Sequence, residues 1–262
     1  LINDSAWATQ LPENQPNVYH TNCTTLENGW VWNIPTKERT GTGYVFSSRY
    51  VSNERALEEF KKHLNRDDEL DFKLIKWKHG RREKFALRNV VTVGLSAGFI
   101  EPLESTSIHL IMTGIVRLMR LFPFDGVTQS AIDEYNTKYD SEMAAILDFI
   151  VMHYKVTNRE DSPFWQHCKN MPIPPSLTHK LNLFKDTGRV FLDDGDIFRV
   201  DSWTQVMLGQ GLTPNQYHKV ADEMSEAELE RFMMGLKQQV DNQVSRLPSH
   251  EAFLDKYLAV NS

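Results

Sequence analysis

VGLSAGFIEPLESTSIHLI, Val93–Ile111, sets two glutamates three positions apart inside a run of small and apolar residues. The residues before it, NVVTVG from Asn89, form the continuous apolar run expected of a strand buried on both faces. The residues after it repeat at helical spacing, with Ile108, Ile111, Ile115, Leu118 and Met119 continuing one helix to the break at Pro123. A strand that ends at Gly94, followed by a helix starting near Ser105, is a layout in which ligands bind beyond the strand's carboxyl end. The first turn of such a helix has unpaired backbone N–H groups and a dipole that favours negative charge, so the amides of Thr106 and Ser107 can hold a small anion. Gly94 and Gly98, with Ser96 and Ala97 between them, let a flat ligand approach the backbone. Glu101 and Glu104 have two readings: as caps for helix-terminal amides, or as a carboxylate among apolar neighbours that takes a proton or stabilises a cation. Spacing alone does not choose between these.

Working outward, the first half reads as strands with one helix. GWVWNIP, Gly29–Pro35, places Trp30, Trp32 and Ile34 at a period of two, on one face of a strand that Pro35 limits. GTGYVFSS supplies another short strand. Leu57, Phe60 and Leu64 recur behind Ser52, giving a helix with a serine cap that ends near Asn65. The basic cluster KLIKWKHGRREK, Lys73–Lys84, predicts a solvated hairpin turning at His79-Gly80, with Phe72–Lys78 and Arg82–Leu87 as arms; an anion-binding patch is the other reading. The second half is mostly helical. An apolar stripe of Ile132, Tyr135, Tyr139, Met143, Ile146 and Ile150 predicts a long helix from Thr128 to about Tyr154, and a core role explains it. Ser162-Pro163 reads as a cap with proline in the first turn, and Pro175–Thr187 as a helix closed by Gly188. Ser225 with Glu228 forms a capping box before a helix running to about Leu247, and Ser249 caps a short last one. The composition shift near Gly126 divides residues 1–126 from 127–262.

Composition narrows the function classes. A chain of 262 residues with 40% hydrophobic content can bury a sizeable core. Its net charge of -6 gives no general attraction for nucleic acid. No apolar run is long enough to span a membrane, and two distant cysteines, Cys23 and Cys168, fit a reducing cytoplasm. The nine histidines include no HExxH and no zinc-like pairing with cysteine, so no metal site is expected. His109 reads as a packing or hydrogen-bonding residue. GTGYVF lacks the third glycine of a dinucleotide loop, and no GxSxG elbow is present.

Together, GWVWNIP and VGLSAGFIEPLESTSIHLI resemble the flavin-dependent tryptophan halogenase family, whose hallmarks are a WxWxIP strand and a later GFxEPLEST segment. GTGYVFSSRYVS, SPFW and the helical C-terminal layout extend the resemblance over essentially the whole chain. The implied class is α/β, or α+β over these residues. It comprises a flavin-monooxygenase-like remnant of a sheet (residues 1–126) and a mainly helical substrate-side module (127–262). The implied chemistry starts with reduced FAD, delivered by a separate flavin reductase, which forms a hydroperoxide with oxygen. Chloride or bromide attacks it, and the hypohalous acid produced travels to an indole-like ring. On this resemblance Glu104 positions the electrophile, or stabilises the arenium cation and assists its deprotonation. Thr106 and Ser107 hold the halide. Gly94, Leu95, Ser96, Ala97, Gly98 and Ile108 lie against the flavin, and Trp30, Trp32, Phe99 and Ser105 line the tunnel and substrate region. Trp30 and Trp32 as plain core residues is the competing reading.

The departures are informative. Ser107 stands where family members often have glycine. Trp203 and Thr204, in SWTQVMLGQG, stand where free-tryptophan enzymes tend to have adjacent tyrosines, which favours a free indole, another substituted aromatic or a larger scaffold as substrate. The dinucleotide loop and the lysine that partners the glutamate are not found, and the resemblance places both before Leu1. The chain is therefore expected to be the C-terminal half or more of a halogenase, inactive without its N-terminal portion. A flavin-dependent hydroxylase and a non-catalytic helical interaction module are the alternatives.

Overall fold

A computed structural model describes residues 1–12, 19–36, 38–66 and 69–261. The chain forms two compact units, Leu1–Asn215 and Gln216–Ser262. The change of composition at Gly126 falls inside the first unit, where strands and helices share one core. Among the described residues no helix is long and apolar enough to cross a membrane.

The first unit is built on a five-stranded antiparallel sheet of β1 (Ser5–Leu11), β2 (Asn22–Leu26), β3 (Gly29–Pro35), β4 (Thr40–Phe46) and β5 (Lys73–Lys76). Its order is β2-β3-β4-β1-β5. Alternation along the strands sorts their side chains onto two faces. On one face Val31, Tyr44 and Phe46, with Trp7 and Leu74, meet Ala56 and Phe60 of helix α1 (Asn53–Leu64). Ser52 accepts from the Arg55 amide at 3.3 Å, and Asn65 ends α1 in the left-handed conformation. On the other face Ala6, Trp30 and Val45 join the main core, with Trp32 packed against it. Gly43 is required opposite Trp32, because a Cβ there would stand 2.1 Å from its ring.

That core is made by α3 (Gln129–Lys155) packed with α2 (Ser107–Arg120), α4 (Pro163–Asn170), α5 (Pro175–Thr187) and α6 (Val200–Gly209). The apolar stripe read on α3 is buried as expected, with Tyr139, Ile146 and Ile150 at 0% exposure. The Ser162 and Gly188 caps are also where the sequence places them. In the second unit Ser225 and Glu228 close the capping box of α7 (Glu226–Val244), and Ser249 accepts from the Ala252 amide at the start of α8 (His250–Asn261).

Three expectations are corrected between α1 and α2. The basic segment is not a hairpin: β5 joins the main sheet beside β1, while β6 (Gly80–Arg81) pairs with β9 (Gly98–Phe99). Two of its cations have partners, Arg81 with Asp140 at 2.5 Å and Arg82 with the Ser96 carbonyl at 3.2 Å. NVVTVG is not a buried strand: β7 (Ala86–Leu87) and β8 (Val90–Val91) form a two-residue ladder that leaves Val90 60% exposed. Its apolar residues meet α2 and α3 from a loop, and Gly114 of α2 leaves room for Val93, 3.2 Å from where its Cβ would be. The helix begins at Ser107, after single 3-10 turns at Gly94–Ser96 and Leu103–Ser105.

Candidate functional site

The two glutamates of the opening stretch have separate fates. Glu101 is 2% exposed. Its Oε1 accepts from Asn3 Nδ2 at 3.0 Å, from Trp30 Nε1 at 3.5 Å and from the Tyr154 hydroxyl. That hydroxyl in turn accepts from Asn3 at 2.8 Å and Trp30 at 2.8 Å, while Glu101 Oε2 is buried without a partner. Desolvation dominates this knot: burial raises the Glu101 carboxyl above its ordinary range despite the donors around Oε1 and nearby His79. The Tyr154 hydroxyl is raised well above its own, by burial and by Glu101. His79 anchors the same corner, its ring nitrogens against the carbonyls of Ile100 and Asn3. Glu101 thus pins the loop to β3 and α3.

Three residues on, Glu104 has φ 66° and Ser105 φ 51°, two consecutive left-handed residues without a glycine. Each such conformation costs roughly 1–3 kcal/mol and persists only where surroundings impose it. The turn presents Glu104 to a concavity of about 440 Å³ walled by Trp30, Trp32, Ile34, Cys23 and Ser105. Its side chain is 36% exposed, and Oε1 lies 3.1 Å from Nε2 of His153 in the last turn of α3. The two indoles meet edge to face, centroids 6.2 Å apart. They serve both readings: Trp30 is a core residue at 6% exposure, and its edge and Trp32 also wall the cleft. A second concavity of about 480 Å³ shares Cys23, Trp30 and Leu103 with the first and reaches His153, Arg159 and Gly211. Burial first, and then the charge of Glu104, raises the Cys23 thiol.

Beside the cleft, Thr106 is buried and Ser107 opens α2, so the unpaired amides of the helix start lie directly after Glu104 and Ser105. Gly94 has φ +60°, and a Cβ there would stand 2.5 Å from Ile111. Leu95 is 66% and Ile108 70% exposed, two apolar side chains flanking the start of α2. Ala97 is fully buried, and Ser96 turns its hydroxyl back onto Val93 at 2.8 Å. Gly98 serves strand pairing, since a Cβ would meet the Gly80 carbonyl at 2.7 Å. Phe99 lies outside the Trp30–Glu104 cleft, with its ring edge to face with Trp77, centroids 6.0 Å apart, because β9 pairs with β6 away from the main sheet.

Further along, α2 is locked to α3 by Glu142, which is 5% exposed. It takes His109 at 3.2 Å, Thr113 at 3.2 Å and Arg117 at 2.9 Å. His109 is thereby a hydrogen-bonding residue, as its place on the helix suggested. Trp203 is fully buried against Phe149, ring centroids 5.0 Å apart, and offers no grip at the cleft surface. The partners that sequence reasoning missed are His153 and Tyr154. Their polar termini interrupt the end of an apolar stripe, which is the one signal that could have drawn attention to them.

Comparison with known proteins gives a consistent set of matches. The family model for tryptophan halogenase matches residues 1–226. Tryptophan 7-halogenase KtzQ of Kutzneria sp. (strain 744) is 29% identical over 97% of this chain and 52% of its own length. A flavin-dependent halogenase from Xanthomonas campestris superposes with a TM-score of 0.93 and 41% identity, covering 98% of this chain and 52% of that one. A second flavin-dependent halogenase, BrvH from Brevundimonas sp. BAL3, gives 0.90 and 39% over the same shares. The chain spans about half the length of the relatives it matches.

Proposed function

Because this chain belongs to the tryptophan halogenase family, we propose that it forms the catalytic and substrate-facing part of an FAD-dependent enzyme that chlorinates or brominates an indole-like aromatic ring. The observation that carries this reading is the left-handed turn at Glu104 and Ser105, which delivers a carboxylate to a tryptophan-walled cleft next to a helix start.

Exposed Leu95 and Ile108, with the positive-φ turn at Gly94, suit the edge of a flat apolar ring system such as a flavin. Ser96, Ala97 and Gly98 support that turn from behind. When bound, the flavin supplies the oxidising equivalent that turns halide into hypohalous acid. Amides of Thr106 and Ser107 hold chloride or bromide at the start of α2, where the helix dipole favours an anion. Trp30 and Trp32 wall the route to the substrate and keep the ring away from the flavin, which favours halogenation over hydroxylation. Glu104 stabilises the cationic ring formed on halogen attack and takes its proton, work for which a positioned carboxylate supplies roughly 10²–10⁴-fold in rate. The remaining length of the relatives supplies the rest of the flavin site, residues 1–126 complete it from this chain, and a separate reductase supplies reduced FAD. Burial of Trp203 favours indole or a larger aromatic scaffold over a gripped free amino acid.

The test uses the full-length protein with FAD, a flavin reductase, bromide and indole, followed by product mass. Brominated indole supports the proposal. A product one oxygen heavier would support a hydroxylase, and no FAD binding a non-catalytic module.

A further inference from the structure

We propose that His153 is a positioning residue for Glu104: its imidazole stands against Oε1 and leaves Oε2 to receive the proton of the halogenated ring. This inference rests on the halogenase reading above and adds a partner that reading does not contain.

His153 is itself held on three sides. Its Nδ1 lies 2.8 Å from the Phe149 carbonyl, its ring stands edge to face on the Phe149 ring with centroids 4.9 Å apart, and its backbone carbonyl accepts from Gln210 Nε2 at 2.7 Å. A carbonyl only accepts, so Nδ1 carries a hydrogen and the tautomer is fixed. Nε2 then faces Glu104 Oε1 at 3.1 Å, with the His153 side chain only 15% exposed. That contact sets one oxygen of Glu104 against a ring that the Phe149 carbonyl and Gln210 hold in place, so the other oxygen is the one left toward the cleft.

The reaction balances with no further reactant. The ring carbon bonds the halogen of hypohalous acid, the oxygen leaves as hydroxide, the ring proton passes to Glu104 Oε2, and the two recombine as water. Other titratable and charged groups bordering the pair are the Cys23 thiol on β2, Arg159 beyond α3 and Glu101 with Tyr154 behind Trp30. Arg159 is already paired with Asp161 at 2.9 Å, and the Cys23 thiol is held protonated by burial and by Glu104. His153 is therefore the ring placed on the carboxylate.

The experiment measures bromination by the full-length protein carrying H153L, H153Q, H153N, E104Q and the double variant E104Q/H153L, with FAD binding as a control on folding. H153L is expected to lower kcat at least about tenfold, change KM less than twofold and alter the shape of the kcat–pH profile. H153Q, whose amide reaches the same oxygen, recovers part of the loss, and H153N, which does not reach, recovers none. In the E104Q background H153L adds no further loss, because it acts only through Glu104. Wild-type kcat in H153L, or equal losses in H153Q and H153N, would overturn the proposal. If H153L does not bind FAD, the contrast between H153Q and H153N decides. A protein that brominates indole and depends on Glu104 but not on His153 refutes this inference alone, whereas no bromination by the wild type refutes the reading beneath it.

Discussion

Replacing Glu101 tests whether the loop that carries Glu104 is secured by a buried carboxyl group whose ionisation burial opposes. The contacts set the size of the effect. E101A removes the acceptor of the Tyr154 hydroxyl, leaving a fully buried donor unpaired for about 1–3 kcal/mol. It also empties the space of a carboxyl group among Asn3, Trp30 and Tyr154, so the total loss is about 2–4 kcal/mol. At roughly 2–4 °C per kcal/mol for a chain of this size, the melting temperature falls by about 4–16 °C. E101Q separates charge from shape, because it keeps the acceptor at Oε1 and removes the titration. Burial raises the folded carboxyl above its ordinary value of 4.5, so the folded state binds more protons than the unfolded one between the two values. Stability then falls as pH rises through that window, by about 1.36 kcal/mol for each unit of separation. Urea unfolding of the intact protein at pH 5 and pH 8 reads this directly. E101Q is expected to lose less stability than the wild type between those pH values, even if its amide at the unpartnered Oε2 position lowers stability at both. Equal slopes for wild type and E101Q would refute the idea of a desolvated acid at this position.

Three further outcomes follow from the packing and the halide site. G43A pushes a methyl group into the Trp32 ring, 2.1 Å from its nearest atom, and is expected to destabilise by about 1–3 kcal/mol and shift tryptophan emission; an unchanged unfolding midpoint and spectrum would contradict the packing. E142A leaves Arg117, 17% exposed, without its carboxylate and is expected to cost about 3–5 kcal/mol, read as a drop in denaturation midpoint; a change under 1 kcal/mol would show that α2 is held to α3 without Glu142. S107P removes one backbone N–H at the start of α2, and because Thr106 before it is in the helical region that a following proline disfavours, bromide KM in the full-length protein is expected to rise severalfold together with a loss of stability. An unchanged bromide KM would place the halide elsewhere.

Much of the fold was legible because its signals are local. Caps at Ser52, Ser162, Gly188 and Ser225 lie beside the periodic runs they close, and the α3 stripe repeats for about five turns. The segment between α1 and α2 was not, because its partners are distant in sequence. Lys73–Lys76 extends the sheet through β1, and Gly80 finds Phe99 rather than its own neighbours. NVVTVG looks like a strand because half-buried contacts with helices α2 and α3 favour the same apolar residues as a sheet does. At the site, spacing could not tell Glu101 from Glu104. What separates them is the left-handed backbone at Glu104 and Ser105 together with Tyr154 and His153, about fifty residues away, and neither feature leaves a pattern in the neighbouring sequence.

The most direct test of the Glu104 assignment is the bromination rate of E104Q in the full-length protein, measured with FAD, reductase and saturating bromide on indole, alongside FAD affinity. Glutamine keeps the shape and the contact distance to His153 but cannot take a proton from the ring. A fall of about 100-fold or more with FAD affinity unchanged is the expected result. Bromination at the wild-type rate would contradict the account.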